Sequence, residues 1–304
     1  MSQSTSHILM IRPVNFGFNE ETAESNAFQQ HDKSQDSVQE KALTEFNNFV
    51  TVLKANGVDV IVMDDTPEPY TPDSIFPNNW VSFHASGDIF LYPMQAENRR
   101  LERREDIISE LEDNFNVKHI IDLSRFEAED KFLEGTGSMV LDRENKIAYA
   151  CLSPRTNHEV LNLFCEQAGY KAISFDAVDE KGKAIYHTNV LMCVGSSFAV
   201  ICLDSTNPHE KVVVKGSLQS THKEIIEISF DQMNHFAGNM LEVRNSDGQN
   251  LIVMSKAAHD ALTAEQKTAL EKYGKLIYSD ISTIETNGGG SARCMMAEVH
   301  LPVV

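Results

Sequence analysis

The chain has 304 residues, of which 41% are hydrophobic and 23% charged, and its formal net charge is −19. So acidic a chain is a poor partner for phosphate backbones and anionic lipid, which sets nucleic acid and membrane aside. The length allows a sizeable core without staples. Five cysteines with no CxxC pair argue against a disulfide framework and for a reducing, cytoplasmic compartment.

The chain opens on "MSQSTSHILMIRPV", which lacks the basic region and the apolar length of a signal peptide. No stretch approaches the roughly 18 apolar residues of a membrane helix. Over 36–57, Val38, Ala42, Phe46, Phe49, Val50 and Leu53 fall on one helical face, Gly57 closes the helix, and "VDVIVM" reads as a buried strand. A second helix is predicted over 98–115, followed by "VKHIIDL". A third, over 156–169, ends at Gly169 before "YKAISF". A fourth, over 207–220, is weakened by Gly216. The fifth covers 263–274, with Thr263 and Gln266 as a capping box and Gly274 as its end, before "KLIYSDI".

Between each strand and the next helix lies a loop running into an apolar hairpin. The five loop-to-strand passages are "PNNWVSFH", "GTGSMVLD", "HTNVLMCVG", "AGNMLEV" and "ARCMMAEVHL". Their markers Asn79, Gly137, Asn189, Asn239 and Arg293 lie 58, 52, 50 and 54 residues apart. A period near 50 signals a closed repeat architecture within one domain spanning 1–304. The last unit lacks a hairpin strand, and "HILMIRPV" can supply it, hiding an edge. In such a ring equivalent loops converge, bringing Asp73, Glu134, His187 and Cys294 together, with His235 from the fourth loop.

These residue types make coherent chemistry. A free thiol is only about 3% thiolate at neutral pH. A neighbouring cation raises that fraction and readies Cys294 for attack on an electrophilic carbon. His187 can protonate a leaving nitrogen and then activate water. Glu134 can orient His187, and Asp73 can grip a planar nitrogen-bearing group. There is no HExxH and no histidine–cysteine spacing suited to zinc, so neither a metal nor another cofactor is expected.

The motifs "PDSIF", "EGTGS", "SPRTN", His187-x-Asn189 and "GGGSARCM" resemble the amidinotransferase/deiminase group, the pentein superfamily of guanidino-modifying enzymes. The resemblance spans essentially the whole chain and is strongest for the citrulline-utilisation hydrolases. It implies a five-fold pseudosymmetric α/β-propeller with Cys294 as nucleophile, His187 and Glu134 as its catalytic partners, and Asp73 as guanidinium binder. It also implies that Arg155 holds a substrate carboxylate and that Phe76 walls the reacting group. The sequence departs from the arginine deiminases where those carry further acids, having Asn78-Asn79 and Asn189 instead. Fewer acids favour a neutral ureido group or a substituted guanidine over arginine itself. The expected activity is Cys-dependent hydrolysis of a C–N bond in a guanidino or ureido compound, with an amidinotransferase or a non-catalytic binding propeller as the alternatives, and the sequence leaves open whether copies of the chain associate.

Overall fold

The computed structural model describes residues 2–23, 26, 28–30 and 37–304. Asp36, at the start of the first expected helix, lies outside the described residues. The fold is mixed α/β, and the described residues form five three-stranded sheets, each an antiparallel pair with a third strand added in parallel.

Four units follow in sequence. Val81–Phe83 pairs with Asp88–Leu91, which pairs with His119–Asp122. Val140–Asp142 and Ile147–Cys151 are joined by Lys171–Phe175. Met192–Val194 and Phe198–Ile201 are joined by Glu224–Glu227. Leu241–Arg244 and Asn250–Ser255 are joined by Lys275–Ser279. The fifth sheet joins the two ends of the sequence. Ala297–Glu298 pairs antiparallel with His7–Arg12 in the register Ile8 to Glu298 and Leu9 to Ala297, and Asp59–Asp64 completes it in parallel. The expected pairing of "HILMIRPV" with "AEVHLP" is therefore present.

A helical crossover is what a parallel third strand requires. Val38–Ala55 provides one, and its six apolar positions, Val38, Ala42, Phe46, Phe49, Val50 and Leu53, are all buried. His158–Ala168 starts on Asn157, whose side chain caps two backbone N–H groups, and ends on Gly169 in the left-handed region. Pro208–Ser220 forms despite Gly216, whose Cα faces open space, so the missing side chain costs no packing. Ala264–Glu271 has the expected Thr263–Gln266 capping box.

Two expectations fail locally. The helix expected over 98–115 is split into Glu97–Arg100 and Glu105–Glu112. Arg99 is drawn inward to Glu102 through Nε–Oε1 at 2.8 Å and Nη2–Oε2 at 2.9 Å, and Arg103 reaches the Tyr92 carbonyl and Glu127, so side-chain demands outweigh helix propensity. The passages "GTGSMVLD" and "HTNVLMCVG" do not run straight into strands. Each begins with a helical turn, Gly135–Ser138 and Thr188–Leu191, before its short strand. His187 therefore caps a turn instead of opening a strand.

Candidate active site

The loops that precede the hairpins carry the expected residues. Asp73 and Phe76 lie on the turn leading into Pro77–Asn79, Glu134 precedes Gly135–Ser138, and His187 precedes Thr188–Leu191. Cys294 follows the helix Ser282–Gly288, which Gly289 terminates at φ +64. Asp73, Phe76, Asn79, Arg155, His187 and Cys294 line one narrow cavity of about 10 Å³, roughly the room one water needs. Glu134 lies behind His187, fully buried.

The His187–Glu134 pair sets the proton chemistry. Nε2 lies 2.8 Å from Glu134 Oε2. Burial alone would raise the Glu134 carboxyl, but the Arg155 guanidinium, the hydrogen bond and charge of His187, and Arg99 outweigh it and hold it well below the usual range. Burial pushes the His187 imidazole down to about 4, against the pull of Glu134, with Arg155 and Arg99 adding to the drop. The ionised carboxylate accepts the Nε2 proton, leaving Nδ1 as the basic nitrogen. Burial thus disfavours a cationic His187 beside the thiol.

This arrangement couples to stability. Unfolded His187 protonates near pH 6.5 and the folded residue only near 4, so folding resists proton uptake in between. Its contribution is full above pH 6.5 and falls as pH drops toward 4, by about 3 kcal/mol from the linkage relation. Urea unfolding of the protein and of His187→Asn across that window should differ in slope by this share; His84 and His300, also lowered by burial, are common to both. Equal slopes would show that His187 is not held neutral.

Asp73 is buried, and burial raises its carboxyl, although Arg99, Asn19, Arg155 and Thr22 oppose the rise. Its Oδ2 accepts from Asn19 at 2.8 Å and Thr22 at 3.3 Å, while Oδ1 has no partner. Asn79 Oδ1 accepts from Arg99 Nη1 at 2.8 Å, which fixes the orientation of its amide, and its Nδ2 has no partner. Two residues that line the cavity thus hold a buried acceptor and a buried donor without partners.

Other expected residues have different surroundings. Asn78 turns away and donates to Thr136 Oγ1 at 3.3 Å, outside the cavity lining. Asn189 lies behind the thiol, its Nδ2 3.3 Å from Cys294 Sγ. Arg155 lines the cavity, but its guanidinium sits 3.4 Å from Glu134, 3.0 Å from the Thr22 carbonyl and over the Tyr186 ring. Phe76 packs where side chains on Gly288 or Gly290 would collide with its ring. His235 is not part of this site. It ends the helix Phe230–Asn234, exposed, beside a separate cleft of about 400 Å³.

Sequence reasoning missed Asn19, Thr22, Asn26, Arg99, Tyr186 and the side chain of Asn239. Asn26 Nδ2 reaches the Gly288 and Gly289 carbonyls at 3.3 Å each, and Tyr186 Oη donates to the Gly289 carbonyl at 2.7 Å. Among the described residues no group of three or more His, Cys, Asp or Glu could hold a metal ion, and no helix is long and apolar enough to cross a membrane.

Gly137 is a tight approach between two side chains of the site. A Cβ there would lie 2.3 Å from Asn79 Nδ2 and 2.8 Å from His187 Nδ1 and Cε1. Gly137→Ala should therefore lower kcat by about 100-fold or more, as misplacement by about 1 Å does, with only a modest change in Tm. Wild-type kcat in this variant would show that the two side chains can move apart freely.

This fold, which carries a thiol, an imidazole–carboxylate pair and a second buried carboxylate, is that of the pentein superfamily. The chain belongs to the N,N-dimethylarginine dimethylhydrolase family, eukaryotic type, whose profile matches residues 12–301. A search of curated protein sequences finds no match. Among solved structures, the fold is similar to that of ArgZ, an arginine dihydrolase from the ornithine–ammonia cycle in cyanobacteria, with 17% identity, a TM-score of 0.77 and 98% of this chain covered. The match takes in only 41% of full-length ArgZ. The N-terminal domain of ArgZ bound to substrate matches with the same score and identity over 98% of this chain and 99% of that one. DDAH from Pseudomonas aeruginosa, as a cysteine-to-serine mutant complexed with citrulline, matches at TM-score 0.65 and 17% identity over 97% of this chain and 99% of that one.

Proposed function

We propose that the chain hydrolyses a C–N bond of a guanidino or ureido compound related to arginine or citrulline, through a covalent intermediate on Cys294. The five units act as one closed propeller domain with the site on its axis. The observation that carries the reading is the shared cavity, lined by Cys294, His187 and Asp73, whose Oδ1 is buried without a partner.

In the first half-reaction His187 Nδ1 takes the thiol proton as Sγ bonds to the substrate carbon. That proton passes to the leaving nitrogen, the C–N bond breaks, and ammonia or an amine departs. Water then attacks the same carbon, His187 takes its proton, the C–S bond breaks and the thiol re-forms. Glu134 stays ionised throughout and holds the imidazole in the tautomer that leaves Nδ1 basic. Proton transfer of this kind contributes about 10²–10⁴-fold. The covalent reaction intermediate described for the ArgZ N-terminal domain supports this route.

The paired features of the cavity favour a group with N–H on one side and oxygen on the other. Asp73 Oδ1 accepts the N–H, and Asn79 Nδ2 donates to the oxygen. The rest of the substrate extends into the adjoining space of about 650 Å³, which shares Tyr186 with the cavity and is bordered by Glu21, Glu97 and Lys183, a charge set suited to an amino-acid end. A panel of guanidino and ureido amino acids, assayed for released ammonia or amine with mass spectrometry of the protein, tests the reading. Turnover with an adduct on the peptide carrying Cys294 is the expected result. Absence of both across the panel overturns it.

A further inference from the structure

We infer that Asn239, together with Asn189, forms an amide cradle that holds the Cys294 sulfur and supports negative charge on it. The inference deepens the nucleophile role proposed above and rests on it. Once His187 takes the thiol proton, the sulfur carries negative charge that nearby donors can hold.

The orientation of Asn239 is fixed by its partners. Its Oδ1 accepts the backbone N–H of Arg293 at 3.0 Å, so Nδ2 is the atom that donates to the Asn189 carbonyl at 2.9 Å and lies 3.3 Å from Sγ. The alternative placement would set oxygen against oxygen at Asn189 and nitrogen against an N–H at Arg293. The shorter contact with sulfur is therefore an N–H donor, while Oδ1 lies 3.8 Å from Sγ and can accept only from the protonated thiol. Asn189 adds a second amide, its Nδ2 also 3.3 Å from Sγ. Both asparagines are at most 1% exposed, so neither is diverted by water.

The cradle is also rigid. Arg293, next to Cys294, is locked by Nη2 to Glu298 at 2.7 Å and by Nη1 to the Met296 carbonyl at 2.8 Å. Asn239 thus ties the backbone beside the nucleophile and the sulfur itself with one planar group. The charged and titratable groups on the other side of the thiol are His187, Tyr186, Asp73, Arg99 and Arg155, which line the same cavity. Hydrogen bonds to the charged form favour it, and a thiolate in reach of two donors is the better nucleophile at neutral pH.

Asn239→Asp keeps the acceptor for Arg293 and replaces the donor by a carboxylate oxygen. Asn189→Ala removes the second donor without touching that backbone tie. Alkylation of Cys294 by iodoacetamide, followed by peptide mass spectrometry from pH 6 to 10, reads the sulfur directly and needs no substrate. At pH 7 the rate should fall about tenfold or more in Asn239→Asp and several-fold in Asn189→Ala, and both should converge on the parent rate at the alkaline end. A rate that drops equally at every pH would mean altered access or packing, and profiles that coincide with the parent would mean no cradle; either result overturns the inference. Should Asn239→Asp not fold, the Asn189→Ala profile decides. Because alkylation is independent of turnover, failure here is distinct from failure of the hydrolase reading.

Discussion

Cys294→Ser abolishes turnover, by about 10⁴-fold or more, and leaves the fold intact. Losing a covalent nucleophile removes a whole pathway, and known losses of this kind reach about 10⁶-fold. Serine occupies less space than cysteine, and the hydroxyl retains the Asn189 and Asn239 amides as donors. Its proton, however, is far harder to remove, and a neutral His187 base cannot make up the difference. His187→Asn and Glu134→Gln should each lower kcat by about 10²–10⁴-fold, since the imidazole shuttles protons in both half-reactions and the carboxylate fixes its tautomer. Together the three losses should fall well short of additive, because each disables the same chain of transfers. Initial rates, adduct mass spectrometry and a thermal unfolding scan for each variant check this. If Cys294→Ser retains more than about 1% of kcat, the sulfur is not the nucleophile.

Much of this arrangement is legible in the sequence, for identifiable reasons. A helix such as Val38–Ala55 announces itself through periodicity, and the spacing of the five loops follows from equal unit size. The loop register brings Asp73, His187 and Cys294 to one cavity with Glu134 behind His187, because each stands just before a hairpin. His235 fails on the same logic, since the fourth loop first makes a helical turn and its site-facing residue is Asn239, four positions later. Asn78 and Asn79 are adjacent on a tight turn and point to different surroundings, Thr136 and the cavity. No one-dimensional pattern separates them. Asn19, Thr22 and Arg99 act through partners such as Asp73 and Asn79, 54 and 20 residues away in the two strongest contacts. Only folding sets these contacts.

Position 79 is where substrate charge is decided. The sequence points to three asparagines in place of acids, but Asn78 faces Thr136 and Asn189 faces sulfur, so of the three only Asn79 lines the cavity and would meet the reacting group. Arg99 holds its oxygen, so the amide presents N–H to the cavity, and an N–H there repels a guanidinium and welcomes a ureido oxygen. The parent enzyme should therefore favour a neutral ureido or substituted guanidino compound over free arginine. Asn79→Asp keeps an acceptor for Arg99 and turns the other contact from donor to acceptor. One charge-assisted hydrogen bond is worth about 1.5–3 kcal/mol, so the ratio of kcat/KM for arginine over citrulline should rise about 10- to 150-fold. Part of the gain is offset because the new carboxylate lies near Asp73, and two buried acids disfavour each other's ionised form. A bound guanidinium relieves that repulsion, so the shift should appear mainly in KM for arginine, while kcat for citrulline falls through loss of the oxygen's donor. Steady-state kinetics of both substrates on parent and variant measure it. A parent that prefers arginine, or a ratio that the substitution leaves unchanged, means that Asn79 does not meet the reacting group and that selectivity lies with Asp73 alone.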